Sequence, residues 1–434
     1  MSFGGLIRRS LYWANDWLHG SPVRRQYDEL SKTMNSYYDG KAIQSKKLDR
    51  ILHYAVKECR YFADYNPKDL KSFPVTNKSV MIENASDILV DPEKVPGQKG
   101  PFHYQKTSGS TGVPFEVAQD TQKRARRVAE LKWFNTMSGF KSHERLGQCR
   151  IWTKWQSKSR WQSFRENILP FNVSSMNEKT LSNLCNTVEK HHLVSLRAYA
   201  SWYTELARYL KNNPNEIEKL NSLKVCFSSS EALEEPTREY FENIVGCSMI
   251  EAYANEENGI LAQQIVGSLD FILNHSGYYF ELLRFDSDLP VQNGEIGRIV
   301  ITDLHNYAYP FIRYDTGDTG IFVAEEGSWP KLLKLYGRKI DLVYNTDGTP
   351  IHPMVFARIL KNVEGIKQWQ FIQKGRCWYE LRINKIDTFD EKICKSEILP
   401  LLGKNAILNI VYVDEIPVLA SGKRRSVLCE WSGE

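Results

Sequence analysis

Lys106-Thr-Ser-Gly-Ser-Thr-Gly-Val-Pro114 is the stretch on which the reading of this chain turns. Two serines, two threonines and two glycines stand between a lysine and a Val-Pro pair. Hydroxyls and unhindered backbone N–H groups suit an anion, and glycine lets the backbone come close to it. The stretch is not a Walker A loop, because nowhere in the chain is Gly-Lys followed by Ser or Thr. A flexible Ser/Gly linker is the competing reading of the same residues.

The chain has 434 residues, enough for about two or three domains. Hydrophobic residues at 42% and charged residues at 25% are the proportions of a globular protein. An aromatic share of 12%, including 11 Trp, fits a substantial core or a large organic ligand. A net charge of +5 is too mild to demand nucleic acid. The eight cysteines, at 59, 149, 185, 226, 247, 377, 394 and 429, form no Cys-x-x-Cys pair. Neither a zinc ribbon nor a thioredoxin motif is signalled, and free thiols in a reducing cytoplasm are the expectation. No His-Glu-x-x-His occurs among the nine histidines, so local motifs announce no built metal site.

No run of about 18 apolar residues predicts a membrane span, and Arg8 and Arg9 interrupt any signal-peptide stretch. Ile7, Leu11, Ala14 and Leu18 share one helical face, with Trp13, Trp17 and arginines beside them. That face suits either peripheral membrane association or docking on the protein's own core. Residues 121–165 hold 12 Lys or Arg against two Glu, with Trp133, Trp152, Trp155 and Trp161 interleaved. A surface for an anionic partner and a solvated helix face with inward tryptophans are the two readings.

Leu48–Phe62 has helical spacing, and Phe73–Lys78 reads as a turn into a helix capped by Thr76 or Asn77. Leu196–Leu210 reads as helical. Leu223–Phe227, the helix Glu234–Val245 and Ser248–Ile250 then give a strand–helix–strand rhythm that predicts parallel α/β structure. After residue 270 the pattern turns β-rich, with Tyr278–Leu283, Arg298–Ile301 and Ile321–Val323 as strands. From about 337 a small α+β domain is expected, with strands at Trp369–Gln373, Trp378–Ile383 and Ile407–Val413 and helices at Met354–Leu360 and Asp390–Leu399. The expected division is a large domain over 1–336 and a small one over 337–434.

Several polar segments follow strands, where open α/β sheets bind ligands. Ser228-Ser-Ser-Glu231 ends one strand, and Glu251–Gly259 follows another. Tyr253 could stack on a base, and Glu257 could hold Mg²⁺ shared with phosphates; a surface turn is the plain alternative. Pro310–Gly320 is a polar turn whose Asp318 could accept two ribose hydroxyls. Tyr336–Asp341 could be a hinge, and Lys423 on its glycine turn could neutralise a transferring phosphoryl group or belong to a basic tail.

In order and spacing, Thr107–Pro114, Tyr253–Glu257, Tyr314–Asp318, Gly337–Asp341 and Ser421–Lys423 resemble the adenylate-forming (ANL) superfamily over residues 48–425. Leu48–Phe62, Phe73–Lys78, Gly294–Gly297 and Thr302–Pro310 narrow the likeness to the phenylacetate–CoA ligase branch, and Tyr253–Gln263 to the CapK-type homologues of capsule and exopolysaccharide clusters. The resemblance implies that Thr107, Ser108, Gly109, Ser110, Thr111 and Gly112 hold the ATP phosphates. It implies that Ser229, Ser230 and Glu231 border the adenine, that Tyr253 lies near the base, and that Glu257 binds Mg²⁺. Asp318, helped by Arg338, would hold the ribose, and Lys423 would be the catalytic lysine. The small domain would be mobile, swinging between adenylation and acyl transfer.

Three departures stand out. Ala254 and Glu256 replace the family's Gly and Ser or Thr, Ile340 stands at the hinge position, and Ser228–Glu231 lacks a glycine. The implied activity is ATP-dependent activation of a small carboxylic acid to an acyl-adenylate. Acyl transfer to CoA or to another thiol, amine or hydroxyl, such as a sugar-linked one, would follow. Transfer of AMP itself to a hydroxyl, or a catalytically silent nucleotide- or glycan-binding scaffold, are the alternative functions.

Overall fold

The computed structural model describes residues 3–106, 115–150, 159–172, 177–229, 232–338, 343–348, 350–351, 355–356, 359–360, 363–416 and 425–431. The loop Thr107–Pro114, Ser230, Glu231 and Ser421–Lys423 lie outside the described residues, as do 354, 357 and 358 of the helix expected over Met354–Leu360, whose residues 355–356 and 359–360 are helical. The chain divides into two compact units, Met1–Leu335 and Tyr336–Glu434.

In the first unit β1 (His103–Lys106) and β2 (Glu116–Gln119) form an antiparallel pair, with Lys106 opposite Glu116. An 11-stranded sheet forms the frame. Its parallel half holds β3 (Leu146–Arg150), β4 (Ile168–Asn172), β5 (Ser195–Tyr199), β6 (Val225–Ser229) and β7 (Ser248–Asn255), in the spatial order β4-β3-β5-β6-β7. The sheet continues through β8 (Gly259–Gln264), β9 (Phe271–Leu273), β10 (Tyr278–Leu283), β11 (Ile296–Asp303), β12 (Tyr314–Val323) and β13 (Lys331–Arg338). These complete the order β8-β9-β13-β12-β11-β10. The fold class is α/β, as the strand–helix rhythm implies. At the centre of the parallel half β6 is buried along Val225–Ser228, and in the later half β11 is buried along Ile299–Asp303, so both read as largely apolar runs.

Two segments differ from their sequence reading. Leu196–Tyr199 is β5 rather than the start of a helix; the helix is Ala200–Asn212. Leu, Arg and Ala favour helix, but here they pair with β3 on one side and β6 on the other, and that central position overrides propensity. Tyr314–Asp318 is no turn but the start of β12. Arg298 pairs with Thr319 while Val300 pairs with Asp315, so the three residues 316–318 oppose Ile299 alone. The bulge is possible because Gly317 takes φ +78°, which a side chain would resist.

The helix Thr121–Met137 keeps Arg124 on an exposed side and turns Trp133 inward, but two of its basic residues are buried as well. Asp120 caps it by accepting from Lys123 N at 2.7 Å. Lys123 and Arg126 are wholly buried, as is Trp133 nearly so, whereas Trp161 is exposed. Lys123 Nζ meets Asp303 Oδ2 at 2.5 Å with both side chains fully buried, and Arg126 pairs with Glu29 and Glu130 at 3.0 Å. The opening helix Phe3–Leu18 forms where its periodicity predicts, but Ile7, Leu11, Ala14 and Leu18 face outward rather than onto the core.

His275 is buried against Trp329, stacked at 4.4 Å, with Nε2 donating to the carbonyl of Pro330 at 2.9 Å. Burial lowers its pKa to about 4. A lowered folded-state pKa means that the unfolded chain takes the proton first, so stability is lost as pH falls below about 6.5. Between pH 7 and pH 5, His275 is expected to remove about 2 kcal/mol, and His275→Gln to flatten that part of the urea-midpoint profile.

The second unit has a small antiparallel pair, β14 (Val343–Tyr344) and β15 (Pro350–Ile351). Beside it is a sheet ordered β18-β17-β16-β19, made of β16 (Ile366–Gln373), β17 (Trp378–Lys385), β18 (Ile407–Tyr412) and β19 (Val427–Cys429). The helix Glu391–Leu402 starts at Asp390, whose carboxylate accepts from Lys392 N at 2.8 Å, and buries Cys394, Ile398 and Leu402. Phe356 stacks on Phe371 at 4.0 Å in this unit's core.

Candidate functional site

At the carboxyl ends of the parallel strands Tyr199, Ser229 and Ala252 stand side by side in register. That edge is where an open α/β sheet receives a ligand. β7 runs beyond this line to Asn255, so Tyr253 sits on a strand rather than on the loop after it. The turn 256–258 then carries Glu256 and Glu257 before β8 returns. Asn255 closes the turn, its Oδ1 accepting from Asn258 N at 2.8 Å.

β12 lies four places away from β7 in the sheet order, yet the sheet curls enough for the two to meet. The Tyr253 hydroxyl donates to Asp318 Oδ2 at 2.9 Å and lies 3.1 Å from Thr316 Oγ1. The Tyr314 hydroxyl donates to Glu257 Oε1 at 3.1 Å. The β12 bulge aids this: Thr316 Oγ1 donates to the Ile299 carbonyl at 2.9 Å and so fixes the stretch before Asp318. Both phenols are held well above their ordinary pKa. For Tyr253 the causes are burial and then the Asp318 charge; for Tyr314 they are burial and then Glu257. Both therefore stay protonated and act as donors to the carboxylates.

Glu256, the residue out of family pattern, turns elsewhere. Its Oε2 accepts from Gln105 Nε2 at 2.8 Å, and its carbonyl accepts from Arg127 Nη1 at 2.8 Å. Gln119 Nε2 donates to the Glu257 carbonyl at 3.3 Å. Gln105 is on β1 and Gln119 on β2, so both strands that flank residues 107–114 are tied to the 256–257 turn. Underneath, the ammonium of Lys123 approaches the Tyr278 hydroxyl at 3.2 Å, and that hydroxyl donates to the Asn258 carbonyl at 2.7 Å.

Of the residues singled out from sequence, Tyr253, Glu257 and Asp318 come together here, and Ser229 ends β6 beside β7. Ser230, Glu231, Thr107, Ser108, Gly109, Ser110, Thr111, Gly112 and Lys423 lie outside the described residues. Arg338 is the last residue of β13, whose final residues 336–338 belong to the second unit, and only its backbone is described. Sequence reasoning misses the Tyr314–Glu257 pair, the two glutamines and the Lys123–Asp303 pair. Tyr314 opens the quoted Tyr-Asp-Thr-Gly-Asp run, a usable signal; Gln105 and Gln119 carry none.

Among the described residues no three His, Cys, Asp or Glu side chains gather as a metal cage. Glu257 alone, with one carboxylate oxygen taken by Tyr314, fits a magnesium ion that completes its shell with phosphate oxygens and water.

Comparison with known proteins agrees with this architecture. The family described as the CapK C-terminal domain matches residues 343–430. A crystal structure of 2-hydroxyisobutyryl-CoA ligase in the postadenylation state, with 2-HIB-AMP, is similar at TM-score 0.71 and 17% identity, covering 90% of this chain and 89% of that one. An anthranilate CoA ligase in complex with anthranoyl-AMP is similar at TM-score 0.55 and 16% identity, over 74% of this chain and 64% of that one. ATP-bound MatB from Rhodopseudomonas palustris is similar at TM-score 0.55 and 14% identity, over 74% and 66% of the two chains. No curated protein matches.

Proposed function

Because the chain has the adenylate-forming ligase fold and ends in a CapK-type C-terminal domain, we propose that it activates a carboxylic acid with ATP. The observation that carries this reading is the pairing of Tyr253 with Asp318 and of Tyr314 with Glu257 at the carboxyl ends of β6 and β7. Asp318, fixed by a neutral phenol, is a carboxylate able to accept ribose hydroxyls. Glu257 is set beside the strands that lead into and out of the Thr107–Pro114 loop, where phosphates would lie.

A carboxylate is a poor acyl donor because oxide would have to leave. In the proposed reaction its oxygen attacks the α-phosphorus of ATP. A new P–O bond forms, the bond to the bridging oxygen of the β-phosphate breaks, and pyrophosphate departs. AMP is then a good leaving group when a thiol, amine or hydroxyl attacks the acyl carbon. Magnesium held by Glu257 would neutralise phosphate charge. The hydroxyls and N–H groups of 107–112 would grip the phosphates, and Lys423 would offset charge growing at the α-phosphate. Positioning and electrostatics supply the catalysis, so no nucleophilic side chain is needed. The acceptor would be CoA or another thiol, amine or hydroxyl, sugar-linked in the polysaccharide setting at which the CapK-type C-terminal domain hints.

The test is isotope exchange. The protein, ATP and labelled pyrophosphate are incubated with a panel of carboxylic acids, and label is expected in ATP only when the right acid is present. ATP binding without exchange for any acid would overturn the reading. AMP retained on a hydroxyl product, instead of released, would replace acyl transfer by adenylyl transfer.

A further inference from the structure

The helix Phe3–Leu18 docks by its polar side. Asp16 is buried beneath it, and its two carboxylate oxygens accept from Val23 N at 3.0 Å and Arg24 N at 2.9 Å, capping the next helix, Pro22–Asn35. Gly5 is buried and Tyr12 half-buried on the same side. The apolar side looks outward: Leu11 is 64%, Trp17 71% and Leu18 72% exposed, with Leu6 and Ile7 also exposed. At 100° per residue these five and Ala14 occupy about 140° of the circumference, interrupted by Ser10 alone.

A second helix, Arg160–Glu166, widens the patch. Trp161, 68% exposed, stacks on exposed Phe164 at 5.9 Å. Arg8 joins the two helices, its guanidinium 4.5 Å from the Phe164 ring centre and its Nε donating to the Phe164 carbonyl at 3.0 Å. Arginines stand at the edges of the patch: Arg8 on the first helix, Arg25 near its end, Arg160 and Arg165 on the second. The acids nearby are spent, Asp16 on the cap and Glu166 beside Arg165 at 4.0 Å. Among the described residues nothing covers this surface, and none of their helices is long and apolar enough to cross a membrane.

We propose that this face seats the protein on an anionic lipid bilayer. The first helix would lie in the interface, with Leu11 and Leu18 at the acyl boundary and Trp17 and Trp161 at headgroup depth. The arginines would meet lipid phosphates. A second copy of the chain is the less fitting occupant, because two identical arginine rims would face each other. The surface lies apart from the Tyr253–Asp318 cluster and does not depend on the chemistry proposed there.

Vesicle flotation tests this with the full chain. The protein is expected to float with phosphatidylcholine–phosphatidylglycerol vesicles, less with phosphatidylcholine alone, and less in high salt. Leu11→Glu with Trp17→Glu should lower partitioning at least ~100-fold, since two large apolar groups are withdrawn from the interface and two charges added. Both sites are exposed, so the variant's thermal melt and pyrophosphate exchange in lipid-free buffer should match the parent. Unchanged flotation of that variant overturns the proposal. So does a parent chain that stays in solution, or one that is a dimer in lipid-free buffer and becomes monomeric on these two substitutions.

Discussion

Asp303→Asn is expected to destabilise the first unit by about 3–5 kcal/mol, read as a lower urea midpoint. Lys123 and Asp303 meet with both side chains fully buried. The asparagine retains the oxygen that accepts from His305 N at 2.9 Å and Asn306 N at 3.2 Å, so the turn it caps is kept. What is lost is the counter-charge. An ammonium without access to water is left with the Tyr278 hydroxyl at 3.2 Å as its polar neighbour. An uncompensated buried charge costs far more than the pair contributed. Lys123→Met on top of Asp303→Asn should therefore recover at least half of the loss. If the double variant is as unstable as the single one, the pair acts through the cap and not through charge. Because Tyr278 also donates to the Asn258 carbonyl, the single variant should loosen the Glu257 turn as well. Hydrogen exchange over residues 255–260 would show it.

How much of this could be seen in the sequence depends on the range of the forces involved. Tyr278–Leu283 is legible as a strand because its neighbours β11 and the turn at Ser276-Gly277 are close along the chain. Asp390 before Glu391–Leu402 is legible because a cap acts within one turn. Leu196–Tyr199 is not: its propensity is helical, and partners at 146–148 and 225–229 decide its state. The site divides in the same way. Tyr253, Glu257 and Asp318 stand out by motif and spacing. Their juxtaposition depends on a curled sheet that brings β12 back onto β7, which no local pattern encodes. Lys123 and Arg126 read as part of a basic surface because charge is counted along the chain, whereas two of their three acids come from the distant residues 303 and 29, with Glu130 one turn along the same helix. The outward stripe of Phe3–Leu18 has the right period for a docked helix; only the burial of Asp16 shows which side is docked.

Asp318→Ala and Lys423→Ala should each cut acid-dependent pyrophosphate exchange by roughly 10²–10³-fold, the size of effect seen when one electrostatic group is removed from a reacting site. They should do so differently. Asp318 would hold ribose hydroxyls in substrate and transition state alike, so its loss should raise the KM for ATP and lower exchange at subsaturating ATP, with the saturated rate much less affected. It also strips the buried Tyr253 hydroxyl of an acceptor at 2.9 Å, with Thr316 Oγ1 at 3.1 Å still in reach, so a modest loss of stability should accompany it. Tyr253→Phe separates the two effects, since it leaves the carboxylate in place and removes only its orienting donor; its exchange rate should fall between the parent and Asp318→Ala. Lys423 is assigned to charge that grows only as pyrophosphate departs, so Lys423→Ala should lower the rate with ATP affinity nearly unchanged. A K423A variant that exchanges normally would remove the lysine from the adenylation step. An Asp318→Ala variant that keeps its KM for ATP would show that this carboxylate serves the fold through Tyr253 and not the nucleotide.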